Sequence, residues 1–223
     1  MEKSQAYAIV PENVEEQQRL FLAGTGEVPT VSYHADEVLN KELLPLKYFA
    51  FSACFRSEVG SWGKDVRGIK RVHQFDKLEM VVFSLPSDSS EILEYLLHIN
   101  EEFLQDLGLP YHVLNMCTGD VGYPTYKKYD VEVWLPSQGE YCETMSTSHI
   151  HAYQARRLNI KYREEDGSKA YVHTLNSTGA AMGRMIIAIL DNFQQKDGSV
   201  RIPDVLQEYF PEAWPDGYLH PKQ

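Results

Sequence analysis

No stretch of this chain is apolar for long enough to cross a bilayer. The longest apolar run, residues 185–190, falls far short of the roughly 20 residues that span hydrocarbon. The first residues, Met1-Glu2-Lys3-Ser4-Gln5, lack the apolar core of a secretory leader. Cysteine is scarce: Cys54, Cys117 and Cys142 are odd in number, lack metal-ligand spacing, and read as buried thiols in a reducing compartment. The eight histidines show no metal spacing either, so no zinc is assigned. Together these absences lead to the expectation of a soluble, cytoplasmic protein with no membrane partner. Basic residues are outnumbered, 21 Lys and Arg against 32 Asp and Glu, for a formal net charge of −11. That argues against a broad nucleic-acid surface on the body of the chain. There is no Pro/Gly/Ser-rich linker, low-complexity tract or internal repeat, so 223 residues at 43% hydrophobic are expected to form a single domain, 1–223.

Residues 48–55 are aromatic-rich and short, as in a strand, and 71–85 reads as another that Pro86 ends. Asp88 with Glu91 three residues later resembles a capping box. It opens a helix whose Leu93, Leu96, Leu97, Phe103, Leu104 and Leu107 lie at helical spacing and are expected in the core. Gly108 and Pro110 close it. Further strands are expected at 111–117, 129–135, 141–146 and 171–175, the middle two joined through a turn at Ser137-Gln138-Gly139. In the 129–135 strand Val131, Val133 and Leu135 share one face. Helices are expected over 150–159 and about 179–193. Strands joined by hairpins with few helices between them indicate an α+β fold, an antiparallel β-sheet flanked by helices.

Two arginines open motifs of their own. Arg56 sits in Phe55-Arg56-Ser57-Glu58 and is followed by Arg71-Val72-His73-Gln74-Phe75-Asp76-Lys77-Leu78-Glu79. Arg184 ends Thr178-Gly179-Ala180-Ala181-Met182-Gly183-Arg184. Arginine stays charged and its planar fork of donors fits phosphate oxygens. Taken alone, each is more often half of a structural ion pair. Their surroundings, however, resemble motifs 2 and 3 of class II aminoacyl-tRNA synthetases, most closely the catalytic domain of seryl-tRNA synthetases. Further matching blocks are Gly24-Thr25-Gly26-Glu27-Val28-Pro29, Thr118-Gly119-Asp120, Tyr129-Asp130-Val131-Glu132-Val133-Trp134-Leu135-Pro136, Tyr141-Cys142-Glu143-Thr144, Gln154-Ala155-Arg156-Arg157, His173-Thr174-Leu175-Asn176 and Gln195-Lys196-Asp197-Gly198. In order, they cover about residues 21–209.

The resemblance implies the chemistry. A serine carboxylate attacks the α-phosphorus of ATP, pyrophosphate leaves, and the seryl group passes to tRNA(Ser). Arg56 would contact the α-phosphate and the substrate carboxylate, and Arg184 the γ-phosphate or the adenine face. Ser57, Glu58 and the Val72 backbone would help hold adenine over Phe75. Glu143, Thr144, Met145 and Ser146 would line the ATP site, with Glu143 and Ser146 holding Mg2+. L-serine would be read by Thr25, Gly26, Glu27, Arg56, Glu79, Asn176 and Thr178. Gly26 departs from the usual alanine, and Ser146-Thr147-Ser148-His149 from a stretch that often contains cysteine. The loop with Gly60, Gly63, Lys64, Arg67 and Gly68 either orders over ATP, meets the tRNA acceptor end, or is a solvated turn. His73 reads as structural, because a carboxylate already ionised needs no general base.

By the same comparison the chain begins inside the catalytic domain, without the N-terminal helical arm and without motif 1. Weakened tRNA binding is therefore expected, and the family's homodimer is doubtful for this chain. The alternative is a non-charging paralogue that keeps the fold as a binding or regulatory module, or passes activated serine to another acceptor.

Overall fold

The structure, a computed structural model, describes residues 5–10, 20–59, 68–210, 214 and 216–221. The loop residues Gly60, Gly63, Lys64 and Arg67 lie outside them. A six-stranded sheet organises everything else. Its strands are β4 (Leu46–Phe55), β5 (Gln74–Ser84), β6 (Tyr111–Asn115), β7 (Lys127–Leu135), β8 (Glu140–His149) and β11 (His173–Ala181). Their order is β4-β5-β11-β8-β7-β6, and every pairing is antiparallel. Three small sheets surround it. β1 (Ala8–Ile9) pairs with β2 (Leu20–Phe21) and β12 (Val200–Arg201) with β13 (Tyr218–Leu219). β3 (Val38–Leu39) runs parallel to β9 (Lys161–Arg163), which pairs with β10 (Lys169–Tyr171). The helices are α1 (Glu27–Ser32), α2 (Ser89–Asp106), α3 (Tyr153–Leu158), α4 (Met182–Phe193) and α5 (Asp204–Gln207). None of them is long and apolar enough to cross a membrane.

Strand alternation divides β5 between two environments. Met80 and Val82 pack with Ile92, Leu93 and Leu96 of α2. Val81 and Phe83 point the other way, into a cluster with Val31 of α1 and Ala155 of α3. Covered on both faces, residues 80–83 read as a continuous apolar run instead of an alternating one. The face of Val81 and Phe83 continues N-terminally through Glu79, Lys77 and Phe75, and this is where the cleft forms. On the opposite face, Val131, Val133 and Leu135 pack with Leu97 and Leu104 of α2 and Met185 and Ala188 of α4.

Several elements depart from the expectation. Asp88 makes no side-chain cap; the Ser87 hydroxyl donates to its Oδ1 at 2.6 Å instead, so the capping box does not form. Phe103 is exposed, whereas Leu93, Leu96, Leu97, Leu104 and Leu107 are buried. Cys54 and Cys142 are buried but Cys117 is exposed. The second helix is only Tyr153–Leu158, because residue 149 still belongs to β8 and His151 takes a positive φ. The last helix begins at Met182, since Gly179 to Ala181 continue β11. Gly108 does end α2, at φ +70°, with the Leu109 N–H donating to the Leu104 carbonyl at 3.0 Å.

One polar tie joins α2 to the sheet inside the core. Asn100, 1% exposed, donates to Thr147 Oγ1 at 3.1 Å and Ser177 Oγ at 2.9 Å, and the two hydroxyls lie 2.8 Å apart. Replacing Asn100 by Ala strands these hydroxyls in a dry environment. Urea unfolding should show a loss of about 1–3 kcal/mol; unchanged stability would mean the triad contributes nothing.

Candidate active site

A cleft of about 400 Å3 opens on the sheet face that carries Phe75, Lys77 and Glu79. Two bulges shape its floor. β8 carries one extra residue opposite the Val131/Glu132 step of β7, and β11 one between Thr178 and Ala180. An ordinary strand sends residues three apart to opposite faces. The β8 bulge lets both Glu143 and Ser146 line the cleft, with the Thr144 hydroxyl donating to the Val131 carbonyl at 3.2 Å. Asn176 and Thr178 line it from β11. The roof includes a turn at Gly68–Lys70, drawn close because Gly183 at the start of α4 has no side chain: a Cβ there would meet the Ile69 carbonyl oxygen at 2.9 Å.

One end of the cleft is a buried charge network. The Lys77 ammonium pairs with the Glu79 carboxylate and donates to Thr25 Oγ1 at 2.8 Å. The Thr25 hydroxyl in turn donates to Glu79 Oε2 at 3.2 Å, and Asn176 Nδ2 to Glu79 Oε1 at 3.1 Å. Glu27 accepts from Gln154 Nε2 at 2.6 Å, and Gln154 is held by the Thr174 hydroxyl, also at 2.6 Å. Burial pushes the Glu27 carboxyl above its ordinary range, and the neighbouring Glu79 charge adds to the shift. Two carboxylates face one ammonium, so this end is one positive charge short of balance. Asn176 Oδ1 is buried and has no hydrogen-bond partner among the described residues, leaving an acceptor for a ligand donor.

The other end is rich in guanidinium. Arg56 Nε donates to the Gly24 carbonyl at 3.1 Å, and its guanidinium lies 5.4 Å from the centre of the Phe75 ring. Arg71 pairs with Glu58 at 3.0 Å. Arg184 reaches from the first turn of α4 to the Glu143 carbonyl at 2.6 Å and its carboxylate at 3.3 Å. Of the residues singled out from the sequence, all but two line this cleft. Gly26 does not; it caps α1 against β4, where a Cβ would stand 3.2 Å from those of Ala50 and the Ser52 hydroxyl, a tight fit for the alanine expected there. Ser57 does not either; its N–H donates to the Gln5 carbonyl at 3.1 Å. Lys77, Arg71 and Gln154 were not among the sequence candidates. Lys77 was legible, since it stands two residues from both Phe75 and Glu79 on one strand and must share their face. His149, His151 and His173, which show no metal spacing in the sequence, come together in space.

Comparison with protein-family models matches residues 9–193 to the tRNA synthetase class II core domain (G, H, P, S and T). The chain belongs to that family. Within it, the chain is 54% identical over 189 residues to a serine–tRNA ligase of Caldicellulosiruptor bescii, covering 85% of this chain and 45% of the relative. The seryl-tRNA synthetase of Pyrococcus horikoshii, solved in complex with ATP, superposes with a TM-score of 0.89 at 45% identity, over 99% of this chain and 47% of that one. The cytoplasmic serine–tRNA ligase of Naegleria fowleri, solved with AMP, gives 0.85 at 38% identity, over 92% and 48%. The synthetase-core chain thus spans about half the length of the relatives it matches. Its antiparallel sheet is the fold that the family resemblance implied.

The network around Glu79 makes a direct prediction. Lys77→Met keeps volume but removes the ammonium paired with a carboxylate that is 1% exposed. Breaking a buried pair from one side costs on the order of 3–5 kcal/mol. Urea unfolding should show a deficit of that size at neutral pH; unchanged stability would mean that the pair contributes nothing to the fold.

Proposed function

We propose that this chain is the catalytic core of a serine–tRNA ligase, acting as one catalytic domain that joins L-serine to ATP and passes the seryl group to tRNA(Ser). The observation that carries this reading is the opposite polarity of the two ends of one cleft. The Glu27/Glu79/Lys77 end lacks one positive charge and suits an amino acid's ammonium. The Arg56/Arg184 end suits phosphate. A substrate that is cationic at one end and joined to a phosphate at the other is an aminoacyl-adenylate.

In this reading Glu27 and Glu79 hold the ammonium, and Glu79 with Asn176 and Thr178 meets the serine hydroxyl. Arg56 draws the serine carboxylate to the α-phosphorus. The carboxylate oxygen forms the new P–O bond, the bond to the β-phosphate oxygen breaks, and pyrophosphate departs. No proton moves, so His73 has no catalytic task; its carbonyl receives the Arg56 N–H at 3.0 Å. Adenine stacks on Phe75, with Glu58 and the Val72 backbone at its edge. Arg184 takes the distal phosphates. Glu143 and Ser146, hard oxygen donors aligned by the β8 bulge, fit Mg2+, which supplies charge neutralisation on the phosphates when bound. Cytoplasmic location follows from the same family reading, and the acidic body leaves tRNA recognition to few basic groups. Adenylate formation should therefore be more robust in this chain than tRNA charging.

Serine-dependent exchange of pyrophosphate into ATP tests the reading. Arg56→Ala and Arg184→Ala should each lower exchange by about a hundred- to a thousandfold, the loss typical of removing one donor to developing or transferring charge. Full activity in Arg56→Ala would remove that residue from the chemistry. Alanine lacks the hydroxyl for which Glu79 and Asn176 are set, so its kcat/KM should fall at least about a hundredfold below that of serine; threonine's extra methyl should cost roughly 1–3 kcal/mol. Equal use of alanine and serine would refute the specificity assignment.

Acidity supplies a separate test. Only ionised Glu27 attracts an ammonium, and burial raises its pKa. As pH falls, Glu27 takes up a proton sooner than an ordinary carboxyl, so the serine KM should climb while the pH is still above the usual carboxylate range. In Glu27→Gln the KM should be high throughout and that limb should disappear. A KM for the unmodified chain that stays flat down to the ordinary carboxylate range would show that Glu27 does not hold the ammonium.

A further inference from the structure

Three histidines that take no part in the cleft converge on the other face of the sheet. His149 ends β8, His173 opens β11, and His151 lies in the turn before α3 with a φ of +51°. One ring nitrogen from each lies within 4.8 Å of the others. His173 and Thr174 are consecutive on a strand and so point to opposite faces. Thr174 reaches Gln154 behind the cleft, whereas His173 meets Ser89 at the start of α2. The sheet separates the cluster from the cleft.

The backbone under the cluster is fixed. Ile150 N–H donates to the Thr174 carbonyl at 3.0 Å, Thr174 N–H to the His151 carbonyl at 2.9 Å, and Tyr126 N–H to the His149 carbonyl at 2.8 Å. The Ser89 hydroxyl lies 2.9 Å from both the Pro86 carbonyl and His173 Nδ1. With the hydroxyl donating to Pro86, Nδ1–H donates to Ser89 Oγ and His173 Nε2 carries the lone pair. An outer hydrogen bond of this kind is what orients metal-ligating imidazoles. His149 is 1% exposed, and its Nε2 has no hydrogen-bond partner among the described residues. A buried polar atom left in that state points to a ligand. The ring of His151 is stacked on Tyr126, with centroids 4.1 Å apart, which holds it beside His149. Burial keeps His149 and His173 neutral, with pKa values lowered to about 4, so their lone pairs are available near neutral pH.

We propose that His149, His151 and His173 form a binding site for a divalent transition metal ion of the zinc class. Three neutral imidazoles without a carboxylate suit Zn2+, Co2+, Ni2+ or Cu2+ and reject Mg2+, which demands hard oxygen donors. Nitrogens about 2.0–2.1 Å from a tetrahedral zinc stand roughly 3.3 Å from each other. Closing from the present spacing requires ring rotation, chiefly of the half-buried His151, while the strand positions stay in place. The fourth coordination position falls to water. A metal held there cross-links the end of β8, the start of β11 and the turn into α3, next to the residues that hold Gln154 against Glu27.

Zinc alone is the probe, titrated into the chelator-stripped chain against a chromophoric competitor, with no ATP or Mg2+ present. One equivalent should bind, and the melting temperature should rise with free zinc. His151→Asn, which tolerates the positive φ but supplies no imidazole, should lose this uptake. The double variant of the exposed His98 and His220 to Asn should keep it. Cobalt substituted into the unmodified chain should give the intense visible absorption of a four-coordinate site, a readout that needs no variant. Absence of stoichiometric uptake in the unmodified chain, or equal uptake in His151→Asn, would overturn the proposal.

Discussion

The placement of Lys77 and Glu79 on one face of one strand is the constraint on which the candidate site depends. A carboxylate that is 1% exposed cannot remain ionised without compensation, and here an ammonium two residues away on the same face supplies it. Thr25 and Asn176 then satisfy the remaining oxygen valences from a loop and a neighbouring strand. These contacts bring the Gly24-to-Glu27 segment onto the sheet, and with it Glu27, the second carboxylate. Replacing this network by apolar residues would give a quieter core and no site for a cation.

The guanidinium-rich end rests on irregularity instead of burial. Its side chains come from the segment after β4, from β5 and β8, and from the first turn of α4, and two strands that each carry an extra residue help bring them together. Without the β8 bulge, Glu143 and Ser146 would fall on opposite faces. Without the β11 bulge, the strand would enter α4 in a different phase, and Arg184 would not meet the Glu143 carbonyl at 2.6 Å. Bulges of this kind re-aim side chains next to sites, at the cost of local pairing.

These two kinds of order differ in how far the sequence discloses them. The strand of Val131, Val133 and Leu135 was legible because its alternation follows the pleat, and α2 because its leucines recur at helical spacing. The cleft residues were legible only through the family blocks, since a glutamate on a strand and an arginine near a helix carry no distinctive period. The bulges were not legible: one inserted residue leaves no composition signal, and Gly179 read as a helix start instead of a strand irregularity. The Asp88 cap was read from spacing alone, and the Ser87 hydroxyl takes the Asp88 carboxylate instead. The histidine cluster was hidden for a different reason. His173 is distant in sequence from His149 and His151, and only the antiparallel pairing of β11 with β8 brings them together.

The account turns on one cleft that binds an ammonium and hydroxyl at one end and a nucleotide at the other. The most direct measurement is calorimetric binding of a non-hydrolysable seryl-adenylate analogue, compared with its alanyl counterpart and with serine and AMP separately. The account predicts one site per chain, far tighter binding of the joined seryl analogue than of either half, and a marked loss when the hydroxyl is removed. Binding of the joined molecule no tighter than AMP alone would contradict it, because the two ends would then not belong to one site.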